Sequence, residues 1–135
     1  MLLLDTHVLI WLAAGDEHLG PRAKRAIDRA FAPGGSSVAV SAFSYWEIET
    51  LISRKRLRGI RSADALRDAA TKLGLFEIDV DGGIAIGAAR LRGFHGDPAD
   101  RIIVATAQSH RATLVTADDT LLDWGSSLRT LAATT

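Results

Sequence analysis

Short apolar runs alternate along this chain with longer segments of helical period, and this alternation constrains the fold more than any other feature. The strand-like runs fall at residues 2–4, 38–40, 75–80, 113–116 and 128–131. Between them the apolar spacing predicts helices over 6–14, 21–31, 42–57, 62–73, 82–90 and 98–111, with a further short one after residue 119. Strands that alternate with helices build a mainly parallel sheet covered by helices, an α/β architecture. At 135 residues, 47% of them hydrophobic, residues 1–135 match the size of one domain with one core. Pro33-Gly34-Gly35-Ser36-Ser37 reads as a turn rather than a linker, because periodic elements resume at once on both sides.

Composition removes several classes of chemistry. Cysteine is absent, which excludes disulfides, thiolate zinc sites and cysteine nucleophiles. The first apolar stretch is broken by Asp5 and His7, and no run approaches the roughly 20 apolar residues of a membrane span. A soluble, cytoplasmic protein is expected. The 16 basic and 16 acidic residues cancel, so overall charge gives no argument for a polyanionic partner. Local crowding gives a weak one: Arg54, Lys55, Arg56, Arg58 and Arg61 form one basic cluster, and Arg22, Lys24, Arg25 and Arg29 another.

Four carboxylates stand where charge is costly. Asp5 directly follows Leu2-Leu3-Leu4, and Asp118 comes just after Leu114-Val115-Thr116. Glu47 shares a helical stripe with Phe43, Trp46, Thr50 and Leu51, a face expected to turn inward. Asp100 shares one with Ile103, Val104 and Ala107. Buried carboxylates must be paired or bound to a cation, and ligands of open parallel sheets gather beyond the carboxyl ends of the strands. The acids therefore suggest an oxygen-lined pocket for a hard divalent cation, Mg²⁺ or Mn²⁺, and with it phosphoryl chemistry.

Glu47, Asp100 and Asp118 have plainer explanations. Glu47 can pair with Arg54 two turns along the helix. Asp97-Pro98-Ala99-Asp100 is also a good helix start, with Asp97 as the cap and Pro98 at the first helical position. Asp118 or Asp119 can cap the short helix that follows, so membership of Asp97 and Asp119 in the site stays open. Tyr45, Ile48 and Ile52 form a second apolar set on the same helix as Glu47, for packing against a neighbouring helix or for association. His7, His18, His95 and His110 lack the i, i+4 spacing of a zinc helix and are expected to be solvated or structural. Thr6, Ser41 and Thr116 are hydroxyls placed to donate to the acids.

Four stretches together resemble the successive motifs of PIN domains. They are Leu2-Leu3-Leu4-Asp5-Thr6-His7-Val8-Leu9-Ile10-Trp11-Leu12, Ser41-Ala42-Phe43-Ser44-Tyr45-Trp46-Glu47-Ile48, His95-Gly96-Asp97-Pro98-Ala99-Asp100-Arg101-Ile102-Ile103-Val104-Ala105-Thr106-Ala107 and Leu114-Val115-Thr116-Ala117-Asp118. The similarity is strongest to VapC-like toxins of toxin–antitoxin pairs. It implies a three-layer α/β/α fold and a Mg²⁺- or Mn²⁺-dependent endoribonuclease, with Asp5, Glu47, Asp100 and Asp118 matching the acidic site. It also implies a homodimer and a cognate VapB-like antitoxin. Asp5 and Asp100 are expected to be the principal ligands, with Glu47 and Asp118 completing the set. A non-catalytic PIN-like module that binds RNA or protein is the alternative, although such modules normally lose one or more of the acids. A small-molecule phosphatase fits less well, because His7 stands where the two-aspartate strand motif of those enzymes needs its second acid.

Overall fold

Leu2–Leu4 forms β1, the centre of a parallel sheet, because an all-apolar strand has to be covered on both faces. The computed structural model describes residues 1–135 except His95 and Ser126. β1 pairs with β2 (Val38–Ser41) on one side and β4 (Thr113–Thr116) on the other, with Leu3 opposite both Ala39 and Leu114. β3 (Phe76–Ile78) continues the sheet beyond β2, and β5 (Arg129–Ala132) beyond β4. Every pairing is parallel, in the order β3-β2-β1-β4-β5.

Side chains alternate across a sheet, so its two faces carry different layers. On one face Leu4, Val38, Val40 and Val115 pack with helices α1 (Thr6–Ala14), α2 (Pro21–Phe31), α3 (Ala42–Ser53) and α4 (Ala63–Leu73). Val8, Ile27, Ile48 and Leu66 are the contributions of those four helices. On the other face lies a pair of helices, α5 (Gly82–Arg90) and α6 (Pro98–Ser109), with the short α7 (Asp119–Asp123) beyond them. There Leu3, Ala39 and Leu114 pack with Ile103, Val104 and Ala107 of α6 and Leu121 of α7. Ile84 and Ala88 of α5 close against Ala105 of α6. The result is the three-layer α/β/α arrangement. Among the described residues, no helix is long and apolar enough to cross a membrane.

The structure departs from the sequence reading mainly at helix ends. α3 stops at Ser53 rather than at residue 57, because Lys55 takes the left-handed conformation (φ 56°) and Lys55 and Arg56 donate back to Ile52 and Leu51. Extending the helix would set Arg54 and Arg58 one turn apart, a like-charge pair. α6 ends at Ser109 by the same device, with Arg111 at φ 51°. Ser62 lies outside α4 as its cap, accepting from Ala65 N. The strand expected over 75–80 shrinks to Phe76–Ile78, since Asp81 is taken up in capping α5 through Ile84 N.

On α3 the inward stripe is not the one that carries Glu47. Ser44 and Ile48 are fully buried, while Trp46 is 60% exposed. Tyr45 and Ile52 lie half-buried against the core around Ile48, so that apolar set packs within the chain. Glu47 therefore flanks the core instead of entering it.

Candidate functional site

The winding of the sheet decides where a site forms. From β1 the chain steps outward through β2 and β3 on one side, then returns to lay β4 and β5 on the other. The crevice beyond the carboxyl ends of β1 and β4 is the switch point at which such sheets bind ligands. Asp5 is the first residue past β1, and its backbone N–H still donates to Val115 of β4 at 3.0 Å. Asp118 lies two residues past β4. α3 starts at the end of β2 and carries Glu47 there, while the first turn of α6 carries Asp100.

These four acids line one open cleft of about 370 Å³, together with Asp97, His7, Trp11 and Ala117. Among the described residues, no lysine or arginine lines it. Both basic clusters are solvent-exposed elsewhere, on α2 and on the segment after α3. Among the described residues, Glu47 forms no ion pair with Arg54; the ion pairs are His18–Asp16 and Arg67–Glu77.

Local hydrogen bonds hold most of the acids in place. Asp5 is 9% exposed and has a donor at each oxygen: Thr6 N at 2.8 Å to Oδ1 and Thr116 Oγ1 at 2.6 Å to Oδ2. The Thr116 hydroxyl also accepts from Asp118 N at 3.1 Å, so one buried side chain links two of the acids. The Thr6 hydroxyl donates to Glu47 Oε1 at 2.6 Å and shares a 2.8 Å hydrogen bond with Ser44 Oγ. Asp118 caps α7 through Thr120 N (2.8 Å), and Asp97 caps α6 through Asp100 N (2.9 Å). Both caps also line the cleft, so capping and site membership coexist. Asp119 is exposed and absent from the lining.

Burial and mutual repulsion disfavour this much charge. Burial pushes the Asp5 carboxyl above its ordinary range, against the pull of its bonds to Thr116 and Thr6. Glu47 is raised for the same reason, partly offset by Thr6 and reinforced by Asp5 and Asp97. Asp100 is pushed up to about 7, first by burial and then by Asp97, Asp5, Asp118 and Glu47. Among the described residues, no three His, Asp or Glu side chains are drawn together as a ready-made metal cage. All the acids of the open cleft except Asp100 are instead held by donors of the protein itself.

The hydroxyl assignments need one correction. Thr6 and Thr116 donate to acids, but Ser41 caps α3 through Phe43 N at 3.1 Å and, among the described residues, makes no hydrogen bond to any of them. Ser44 supplies the third hydroxyl of the network instead. His7, expected to be solvated or structural, is solvent-exposed at the rim of the cleft, and Trp11, one turn along α1, lines it too without having been singled out for the site; their i, i+4 spacing right after Asp5 was the available signal. His18 is structural, bonded to Asp16 at 2.6 Å and stacked on Trp11, and His110 is exposed at the end of α6. His95 lies outside the described residues. Arg101, next to Asp100, was missed as well. Its guanidinium donates to the backbone carbonyls of Ala88, Ala89, Leu91 and Phe94, binding the α5–α6 connection to the helix that carries Asp97 and Asp100.

Known proteins share this arrangement of elements. Residues 2–124 match the PIN domain model. Ribonuclease VapC22 of Mycobacterium tuberculosis is 34% identical over 119 residues, covering 87% of this chain and 86% of that protein. A toxin–antitoxin complex from Klebsiella pneumoniae contains a chain that superposes with a TM-score of 0.69 at 24% identity, covering 98% of each. VapBC2 from Rickettsia felis, bound to a DNA fragment from its promoter, gives a TM-score of 0.72 at 18% identity, covering 96% of each. The chain belongs to the PIN-domain family, among its VapC-like members.

Proposed function

We propose that this protein is a Mg²⁺- or Mn²⁺-dependent endoribonuclease and the toxin of a toxin–antitoxin pair. The observation that carries the reading is the cleft itself, lined by five carboxylates and, among the described residues, no lysine or arginine. An all-oxygen anionic donor set suits a hard divalent cation, and the raised affinities of Asp5, Glu47 and Asp100 for protons show how poorly their charge is balanced by protein alone. A relative named as a ribonuclease, and neighbours from toxin–antitoxin complexes, support the choice of RNA and of an antitoxin partner.

Asp5 and Asp100 would hold the cation, with Glu47 and Asp118 completing its shell. When bound, it polarises the phosphodiester, lowers the pKa of water and neutralises charge on the leaving oxygen. Thr6 fixes one oxygen of Glu47, leaving the other to orient the attacking water and accept its proton. Water would attack phosphorus, giving its proton to Glu47, as the bond to the leaving ribose oxygen breaks and that oxygen takes a proton from solvent. Thr116 keeps Asp5 and Asp118 in fixed relation throughout.

Mixed RNA incubated with the purified protein should be cut internally with Mg²⁺ or Mn²⁺ and left whole in EDTA. RNA retained on the protein but never cut would favour the non-catalytic module instead. A VapB-like antitoxin would bring a basic side chain to the uncompensated acids, and co-purification from the native operon should recover it. The exposed Leu73 and Phe76 beside the β3 edge support a homodimer. Light scattering that gives a monomer at micromolar concentration would refute that assembly.

A further inference from the structure

Trp46 is spent on neither the core nor the acidic cleft. It is 60% exposed, an unusual position for a large aromatic side chain, and it stacks on Phe43 with ring centroids 5.2 Å apart and 28° between planes. The pair sits in a second groove of about 230 Å³, lined by Phe43, Trp46, Glu47, Asp97, Pro98 and Ala99. Glu47 and Asp97 line both this groove and the acidic cleft, so the two are continuous. Phe43 backs the indole and restrains it, while much of its surface stays open to solvent.

On the reading proposed above, a phosphodiester occupies the acidic cleft. The ligand that presents a phosphate there and a flat π-face a few ångströms along the same strand is a single-stranded nucleic acid. We infer that Trp46, backed by Phe43, is the platform on which a nucleobase neighbouring the scissile phosphate stacks. Stacking tolerates any base, so Trp46 positions the strand without dictating a sequence. Neither aromatic touches the reacting atoms. Trp46 is a positioning residue, and its contribution appears in binding more than in turnover.

The experiment compares wild type, Trp46→Ala and Trp46→Phe on a short single-stranded RNA cut at one mapped bond. A series of the same RNA carries one abasic nucleotide at each position on either side of that bond. Trp46→Ala should raise KM by about 5- to 100-fold with kcat changed far less, and Trp46→Phe should recover most of the loss. At one abasic position wild type should weaken to the level of Trp46→Ala, and there the substitution should have no further effect. The Mg²⁺-induced rise in melting temperature should be equal in all three proteins, showing that fold and cation site are intact. Unchanged KM in Trp46→Ala, or the same penalty on every abasic substrate, overturns the inference and leaves the nuclease reading standing. So does a Trp46→Ala protein with normal RNA kinetics that no longer retains its small partner, since the groove then belongs to a protein. A wild type that cuts no RNA with either metal overturns both.

Discussion

Asp100→Asn exchanges a carboxylate for a neutral group of the same shape at the place where the cleft's charge is most crowded. In the folded protein this carboxyl titrates at about 7, against 3.8 for an unperturbed aspartate. About 3 units at 1.36 kcal/mol each set a ceiling of about 4 kcal/mol on the cost of ionising it. The side chain is only half-buried, and solvent screens its neighbours, so about 1–2 kcal/mol is the realistic figure. The folded-state pKa lies above the unfolded one; the stabilising contribution is therefore complete below about pH 4 and lost as pH rises through about 7. Asparagine never ionises and keeps its stability over that window. Urea unfolding in EDTA is the assay, run near pH 4 and near pH 8. At the higher pH the variant's midpoint should exceed wild type by about 0.5–1 M, for a slope of about 2 kcal/mol/M. At the lower pH the two should converge. RNA cleavage should be abolished. A variant less stable than wild type at the higher pH, or a gap of equal size at both, would show that ionising a half-buried, crowded Asp100 does not cost the fold this stability.

Mg²⁺ or Mn²⁺ should raise the melting temperature of the wild type and do so far less for Asp100→Asn. Asp97→Asn should keep most of its stability, since asparagine caps a helix well, together with a measurable metal response; complete loss of that response would move Asp97 among the ligands. Thr116→Val keeps the shape of a fully buried side chain but strips a donor from Asp5 and an acceptor from Asp118 N, so it should cost about 1–3 kcal/mol in urea unfolding and weaken metal binding. A variant of wild-type stability would mean that water replaces the hydroxyl. Mn²⁺ affinity measured by calorimetry should climb as pH rises through about 7, the range in which Asp100 loses its proton, and a flat profile would count against Asp100 as a ligand.

Much of this was legible because period and polarity act locally. The bounds of α1, α2 and α5 follow from caps, Pro21 and apolar spacing alone. The ends of α3 and α6 do not, since each closes on a non-glycine residue in the left-handed conformation, Lys55 and Arg111, which no composition rule marks. The face of α3 was misread because Trp46 looks like core to any hydrophobic count; only the packing of Ile48 against the sheet shows which stripe turns inward. The four acids were visible as charge in apolar settings, and the switch between β1 and β4 brings them to one cleft. Ser44 and Arg101 escaped notice for a different reason. Their roles depend on partners in other elements, 38 residues away in the case of Ser44 and Thr6, and a one-dimensional pattern carries no such information.

The carboxylates of the cleft differ in how far the protein itself satisfies them, and that difference orders their roles. Asp5 receives a donor at each oxygen, while Glu47, Asp97 and Asp118 each receive one. Among the described residues, the Asp100 carboxylate receives none, and four neighbouring acids oppose its charge. Donors to an anion fix its geometry and make it easier to ionise, so Asp5 serves as the rigid wall of the site despite its burial. Asp100 is the group whose demand for a positive partner is least met. A proton meets that demand below about pH 7; on the proposed function a divalent cation, or a basic side chain offered by another protein, would meet it above. On the proposed function, proton, metal and inhibitory partner would compete for one unbalanced charge, and the imbalance that weakens the fold would supply the free energy with which the site takes up a cation.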